Sequence, residues 1–92
     1  MSLNEDILLG IDLNLLLTFL VVFRERNVSA AARHLHVTQP AVSGALVRLR
    51  QCFDDPLFLR RNRCMQPTAK AQEIADSLLP AMQQIEAVIR HA

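Results

Sequence analysis

At 92 residues and a net charge of +1, the chain has room for one small domain with a modest core, and nothing supports a second. About half of it is apolar (51%), aromatics are limited to four Phe, Gly is scarce and no run alternates with period two for long, which points to a soluble, mainly α fold. The charge is unevenly spread: Glu5, Asp6 and Asp12 give −3 before Arg24; nine cations against Glu25, Asp54 and Asp55 give +6 from Arg24 to Lys70; Glu73, Asp76 and Glu86 against Arg90 give −2 after it. A basic middle flanked by acidic ends is the footprint expected for a polyanionic partner. Nine of the ten cations are Arg, which favours bidentate contacts to phosphates and bases.

Residues 1–10 show no regular pattern beyond Ile7, Leu8 and Leu9 and are expected to form a flexible arm. Asp12 then caps a helix running to about Arg26, with Ile11 placed to clasp Leu16 as a hydrophobic staple. Leu13, Leu16, Phe19 or Leu20, and Phe23 form its expected buried stripe, leaving Leu15, Leu17 and Val21 outside. The run Ile7 to Phe23 is apolar enough to raise a signal or membrane-spanning segment. Asp12 and Asn14 interrupt it, Glu5 and Asp6 stand where a signal would be positive, and Arg24 arrives too soon for a span of about 20 residues. It reads as a core helix, and no membrane is expected.

Asn27 and Ser29 each offer a cap for a short second helix that ends near Leu35 and His36. Ala31 and Ala32 are small enough to let it approach a neighbour closely. His36 falls in the turn, where Gly or Asn would adopt a left-handed conformation most cheaply. His34 and His36 lack Cys or carboxylate partners at ligand spacing, so no metal is expected. Thr38 caps the next helix and Pro40 lies in its first turn, where a missing N–H costs nothing. Val42, Leu46, Leu49 and Phe53 fall at i, i+4, i+7 and i+11, one apolar stripe that must face a core. Gln39, Ser43, Val47 and Arg50 repeat that spacing on the opposite side, a surface with no folding duty. Such a face suits a DNA major groove, the first turn placing an amide and a hydroxyl against base edges. Gly44 within it costs helix propensity of about 0.8–1.0 kcal/mol relative to Ala. Cys52, beside Phe53, reads as a small, partly buried hydrophobe; with Cys64 twelve positions away it makes neither a zinc motif nor a disulfide framework, and a reducing cytoplasm is the expected setting.

Asp54-Asp55-Pro56 breaks the helical pattern. Leu57-Phe58-Leu59 and Cys64-Met65-Gln66 are expected to pair around Arg60-Arg61-Asn62-Arg63 as a small β-hairpin wing with a basic tip. Arg60, Arg61 and Arg63 are the candidates there for a minor groove or flanking phosphates. Thr68, after Pro67, opens a last helix of about 23 residues, roughly 35 Å at the standard rise. Ala71, Ile74, Leu78, Ala81, Ile85 and Val88 form an uninterrupted heptad seam, widened by Ala75, Leu79, Met82 and Ile89. Nothing else in the chain is long enough to cover it, so two copies are expected to pair through this helix. Pro80 falls away from the main seam and is tolerated there at the loss of one backbone bond.

The run from Asn27 to Ser43, Asn-Val-Ser-Ala-Ala-Ala-Arg-His-Leu-His-Val-Thr-Gln-Pro-Ala-Val-Ser, followed by Asp55-Pro56-Leu57-Phe58 and Pro67-Thr68, resembles the N-terminal domain of LysR-type transcriptional regulators. The resemblance extends from about Asp12 to the last residue, and Pro67-Thr68-Ala69-Lys70-Ala71 after Met65 is more similar to the NodD/LeuO-like branch. It implies a winged helix-turn-helix domain over residues 11–67 and a linker and dimerisation helix over 68–92. It also implies a homodimer with antiparallel linker helices, a partly palindromic double-stranded DNA operator, and a C-terminal domain that senses a small-molecule inducer and lies outside this sequence. No cofactor is expected within it. Thr38, Gln39, Pro40, Ser43 and Val47 are the candidates for base contacts, and Ser29, Arg33, Arg48, Arg50 and Lys70 for the DNA backbone. In the family the residue after the recognition Ser is often long and polar; here it is Gly44. The rival reading is a helix-turn-helix module used only for protein association. An enzyme is less well supported than either, because Ser43, Cys52 and the histidines lack a nucleophile elbow, metal set or phosphate loop.

Overall fold

The computed structural model describes residues 1–92. Its elements are α1 (Glu5–Leu9), α2 (Leu13–Glu25), α3 (Val28–Leu35), α4 (Gln39–Phe53), a hairpin of β1 (Phe58–Arg61) and β2 (Cys64–Pro67), and α5 (Ala69–Arg90). This is the expected winged helix-turn-helix architecture with a long C-terminal helix. Helices α2, α3 and α4 pack on one another, α5 lies against α2, and β2 joins both.

Each helix starts where a short polar side chain satisfies a free N–H of its first turn. Asp12 accepts from Asn14, Asn27 from Ala30, Thr38 from Ala41 and Thr68 from Ala71. Of the two caps considered for α3, Asn27 is the one used. The helices α2, α3 and α4 end on left-handed residues, Arg26 (φ 57°), His36 (φ 58°) and Asp54 (φ 49°), none of them glycine. His36 therefore fills the turn of the helix-turn-helix despite its unfavourable side chain, its N–H closing on the carbonyls of Ala32 and Arg33.

All thirteen buried residues are apolar. Val42, Leu46 and Leu49 of α4 are buried as the spacing requires, with Phe53 packed at the edge, and Ala31 and Ala32 supply the close approach of α3. Phe19 is at the centre, fully buried, its ring 6.1 Å from Phe23 and 5.5 Å from Phe58, so α2 is tied directly to the hairpin. The Met65 N–H adds a bond to the Arg26 carbonyl at 2.9 Å.

Four expectations are corrected. Residues 1–10 contain α1, capped by Asn4, rather than only an irregular arm. The buried side of α2 runs through Leu15, Phe19 and Val22, with Val21 also buried and Leu13 exposed, while Leu17 is exposed as expected; an almost continuous apolar run leaves the phase of the stripe undetermined until neighbours choose it. On α5, Ala71 is fully buried and Ile74 and Leu78 pack on the same core, so the first half of the expected intermolecular seam is used within the domain. Cys52 is exposed, as is Cys64, because it lies off the buried stripe of α4.

Candidate nucleic-acid interface

The outer side of α4 is free. Thr38 caps the helix, its Oγ1 accepting from the Ala41 N–H at 3.3 Å, and Gln39, Pro40, Ser43 and Val47 are all exposed. The Gln39 and Ser43 side chains make no hydrogen bond within the protein; in the first turn Pro40 has no N–H and the Ala41 and Val42 N–H groups are bonded to Thr38, so the Gln39 N–H alone is left without a partner in the chain. Val47, half exposed, is an apolar side chain with no place in the core, of a size that meets a thymine methyl.

The wing is brought to the same side. Ser43, Val47 and Arg50 of α4 form one wall of a cleft of about 270 Å³ whose other wall is Phe58, Arg60 and Met65 of the hairpin. The register explains the selection: Arg60 pairs with Met65, so it shares the inner face with the buried Phe58 and Met65, whereas Arg61, paired with Cys64, projects from the outer face. Against the expected Leu57–Leu59 and Cys64–Gln66, β1 begins one residue later and runs two further, and β2 runs one further at its far end, leaving Asn62 (φ 50°) and Arg63 (φ 65°) alone as a two-residue turn. Positive φ at both positions is the turn geometry that matches strand twist; Asn suits it, and Arg63 tolerates it at some cost. Arg60, Arg61 and Arg63 are thus exposed on three aspects of one short hairpin.

Among the remaining cations the structure separates free from engaged. Arg33 and Arg48 are exposed without an ion pair or side-chain hydrogen bond, and Ser29, half-buried in the first turn of α3, has an unpartnered hydroxyl. Arg50 donates through Nε to the Pro56 carbonyl at 3.0 Å, and Lys70 donates to the Phe53 carbonyl at 2.6 Å. Both therefore hold the end of α4, Lys70 as a cation at the negative pole of a helix. Spacing could not reveal this, because their acceptors are backbone atoms brought close only by the turn. Arg24 and His34 face Glu25 at 2.6 and 3.3 Å; the hydrogen bond from Arg24 holds the Glu25 carboxyl below its usual range, with the neighbouring positive charges adding to it.

A junction missed by sequence reasoning joins α4, the wing and α5. Asp55 Oδ2 accepts from the Thr68 hydroxyl at 2.7 Å and from the Leu57 N–H at 2.8 Å, which together hold this carboxyl below its usual range, Lys70 contributing at longer reach. Leu57 stands at φ 64° between these bonds, fully buried, with the Phe58 N–H closing a tight three-residue turn onto the Pro56 carbonyl. An Asp followed by Pro, with a Thr thirteen positions on, was the available signal.

On the far side, α2 and α5 enclose an open groove of about 1130 Å³ lined by Leu13, Leu17, Leu20 and Val21 facing Ala75, Leu79, Met82, Ile85 and Ile89. Of the six expected dimer residues only Ile85 lines it. Val88 is 72% exposed and Ala81 is exposed, but both lie off the groove. The apolar residues that had only widened the seam, together with the first turns of α2, are the ones that need a cover.

No helix is long and apolar enough to cross a membrane, and no group of three or more His, Cys, Asp or Glu is placed to hold a metal ion. The sequence pattern described as bacterial regulatory helix-turn-helix protein, lysR family, matches residues 13–72, which spans α2 through the first turn of α5. Nodulation protein D 1 of Bradyrhizobium sp. (strain NC92) is 44% identical over 77 residues, 84% of this chain and 24% of that protein, in keeping with the NodD-like branch. The probable transcriptional regulator PA0477 of Pseudomonas aeruginosa superposes with a TM-score of 0.86 at 43% identity, over 91% of this chain and 28% of that one. The DNA-binding domain of BenM, solved with benA site 1 DNA, shares the fold at a TM-score of 0.80 and 20% identity, over 88% of this chain and 91% of that one. The chain spans about a quarter of the length of the curated relatives it matches. With an exposed recognition surface on α4, a basic wing across the same cleft and the family pattern over most of its length, the chain belongs to the LysR family of bacterial regulators and carries their helix-turn-helix DNA-binding domain.

Proposed function

We propose that two copies pair across the α2–α5 groove and dock two α4 helices in successive major grooves of a partly palindromic operator in the cytoplasm. Gln39, Pro40, Ser43 and Val47 read base edges and thymine methyls, with Thr38 at the margin; Ser29, Arg33 and Arg48 contact the DNA backbone. Arg50 and Lys70 contribute there only what remains after their backbone bonds. Arg60 reaches DNA from within the cleft, and Arg61 and Arg63 grip the flanking minor groove. The observation that carries this reading is the cleft itself, which sets the unpaired Ser43 and the free guanidinium of Arg60 on facing walls of one exposed surface.

The protein's role is recognition rather than catalysis. On the same proposal, a small-molecule inducer acts outside the residues of this sequence and reaches the DNA through α5. Pairing across the groove covers the exposed side chains of α2 and α5, and an antiparallel arrangement of the two α5 helices extends that cover along their length.

The test is the ratio of affinities for operator and random duplex. Selection from a random DNA pool supplies the operator; Gln39→Ala is then expected to narrow the ratio by about 1–3 kcal/mol, and an unchanged ratio would move base readout away from α4. Salt separates this from a purely protein-binding module, since only contacts to phosphates make affinity for duplex DNA fall steeply with ionic strength.

A further inference from the structure

We propose that Asp55 and Thr68 are positioning residues for operator spacing: their hydrogen bond fixes the recognition helix and wing against α5, and so sets the distance between the two half-sites a dimer engages. Neither touches DNA in this scheme, and the proposal rests on pairing across the α2–α5 groove.

The packing makes such a device necessary. Helices α4 and α5 are each packed on α2 and barely meet one another. Their relative angle is therefore set through α2 and, directly, only by the connection between them. Besides the Lys70 bond to the Phe53 carbonyl, that connection is held by one carboxylate oxygen, Asp55 Oδ2, which receives the Leu57 N–H and the Thr68 hydroxyl. The same hydroxyl accepts from the Ala71 N–H at 3.1 Å, inside the first turn of α5, while the Asp55 N–H closes on the Arg50 carbonyl in the last turn of α4. The Asp55 side chain thus joins the end of α4 to the cap of α5, beside the Lys70 bond from α5 to the last carbonyl of α4. The Thr68 N–H to Leu57 carbonyl bond at 2.9 Å closes the loop.

The backbone shows that the shape is imposed. Asp54 and Leu57 both hold positive φ, a region that non-glycine residues occupy when their surroundings over-determine it. Leverage turns this local geometry into a spacing rule. The fifteen residues of α4 place its first turn about 22 Å from the junction, so a tilt of about 10° there moves Gln39 by about 4 Å. One base-pair step is about 3.4 Å. A loosened junction would therefore let each half of a dimer slip by a base pair without unfolding either half.

The experiment uses duplexes built from the sequence that the wild-type chain selects out of a random pool, with the spacer between half-sites varied in single base pairs, and a duplex carrying one half-site. Wild type is expected to show a sharp optimum of spacing. Asp55→Ala, which removes the acceptor, and Thr68→Val, both checked for folding by circular dichroism, are expected to flatten or shift that optimum. They should lose about tenfold on the optimal spacing, the avidity of simultaneous engagement, and change by less than about twofold on the single half-site. Thr68→Ser, which keeps the hydroxyl, is expected to restore the optimum. A sharp wild-type optimum left intact in folded Asp55→Ala would overturn the positioning role. Equal losses on one and two half-sites would do the same by making the effect one of readout. A wild-type profile flat across all spacers would instead overturn the dimer reading beneath it.

Discussion

The recognition helix α4 and the long helix α5 begin alike and end with different duties. Each is capped by a threonine whose hydroxyl accepts an N–H three residues on, and each carries one residue unsuited to a helix interior, Gly44 and Pro80. They differ in how their apolar residues are distributed. On α4 polar and small residues occupy one side but for Val47, so only one phase buries Val42, Leu46 and Leu49, and the opposite surface stays exposed. On α5 apolar residues spread over more than one face, so the helix satisfies its own domain with Ala71, Ile74, Ala75 and Leu78 and still presents Leu79, Ile85 and Ile89 to solvent. A helix with a clean polar face declares its free surface; a helix with surplus apolar surface declares only that something else must cover it.

The largest test of this contrast lies in the core that both helices serve. Phe19→Ala is expected to cost about 3–5 kcal/mol of folding stability in denaturant unfolding, because the ring is fully buried between Phe23 and Phe58 and its loss leaves a cavity that α2 cannot collapse. A cost near that of a surface change would mean that the hairpin is not anchored through α2.

Next is the face α5 leaves open. Ile89→Glu is expected to weaken self-association by about 2 kcal/mol or more while leaving the monomer's unfolding midpoint nearly unchanged, since the side chain is 70% exposed within one chain. Sedimentation reads the first and circular dichroism the second. Val88→Glu, off the groove, is the control, and an equal effect from it would restore the heptad seam as the interface.

Most of the fold was legible because local rules and tertiary packing agreed from Asn27 to Phe53: caps, the Ala31-Ala32 pair and the stripe of α4 all required the same arrangement. The hairpin was legible too, although its turn was two residues tighter on the β1 side than the apolar pattern suggested, because Asn62 and Arg63 accept a left-handed pair normally given to glycine. What could not be read was the phase of α2, where Leu13 to Leu17 is apolar at every position but Asn14, and the private bonds of Arg50 and Lys70. A cation's sequence neighbours do not disclose a backbone carbonyl that only the folded turn delivers. The Asp55 junction was hidden for the same reason, its partners lying two and thirteen residues away across a change of element.

The wing sharpens the comparison from the DNA side. Replacing Arg61 and Arg63 together by Ala is expected to reduce the slope of log affinity against log salt by roughly 1 for each phosphate left without its guanidinium, with operator and random duplex affected nearly alike. Arg60→Ala, whose side chain lines the cleft with Ser43, is expected to alter the operator-to-random ratio as well. Identical behaviour of the three arginines would remove the distinction between inner and outer faces of the hairpin.

A smaller gain is available on α4 itself. A Cβ built on Gly44 meets nothing within 4 Å, so Gly44→Ala is expected to stabilise the domain by about 0.8–1.0 kcal/mol through helix propensity alone. If DNA affinity falls while stability rises, the vacancy at Gly44 serves a close approach of the helix to the groove; if both rise, it serves none.

The smallest effect concerns acid. The Asp55 carboxyl is held below its usual range by the Thr68 hydroxyl and the Leu57 N–H, and the Glu25 carboxyl by Arg24, so the folded chain takes up these protons less readily than the unfolded one. Their contribution to stability is therefore fully present above the ordinary carboxylate range and is lost as pH falls through the lower folded values. Both groups are only partly covered, and solvent screening keeps the contribution modest. Asp55→Asn should flatten the acid limb of the stability profile and Glu25→Gln should flatten it less, because Asp55 receives two neutral donors that salt does not screen whereas Glu25 relies on a surface ion pair. Repeating the profile at high salt separates the two: the difference made by Glu25→Gln shrinks, and that made by Asp55→Asn persists.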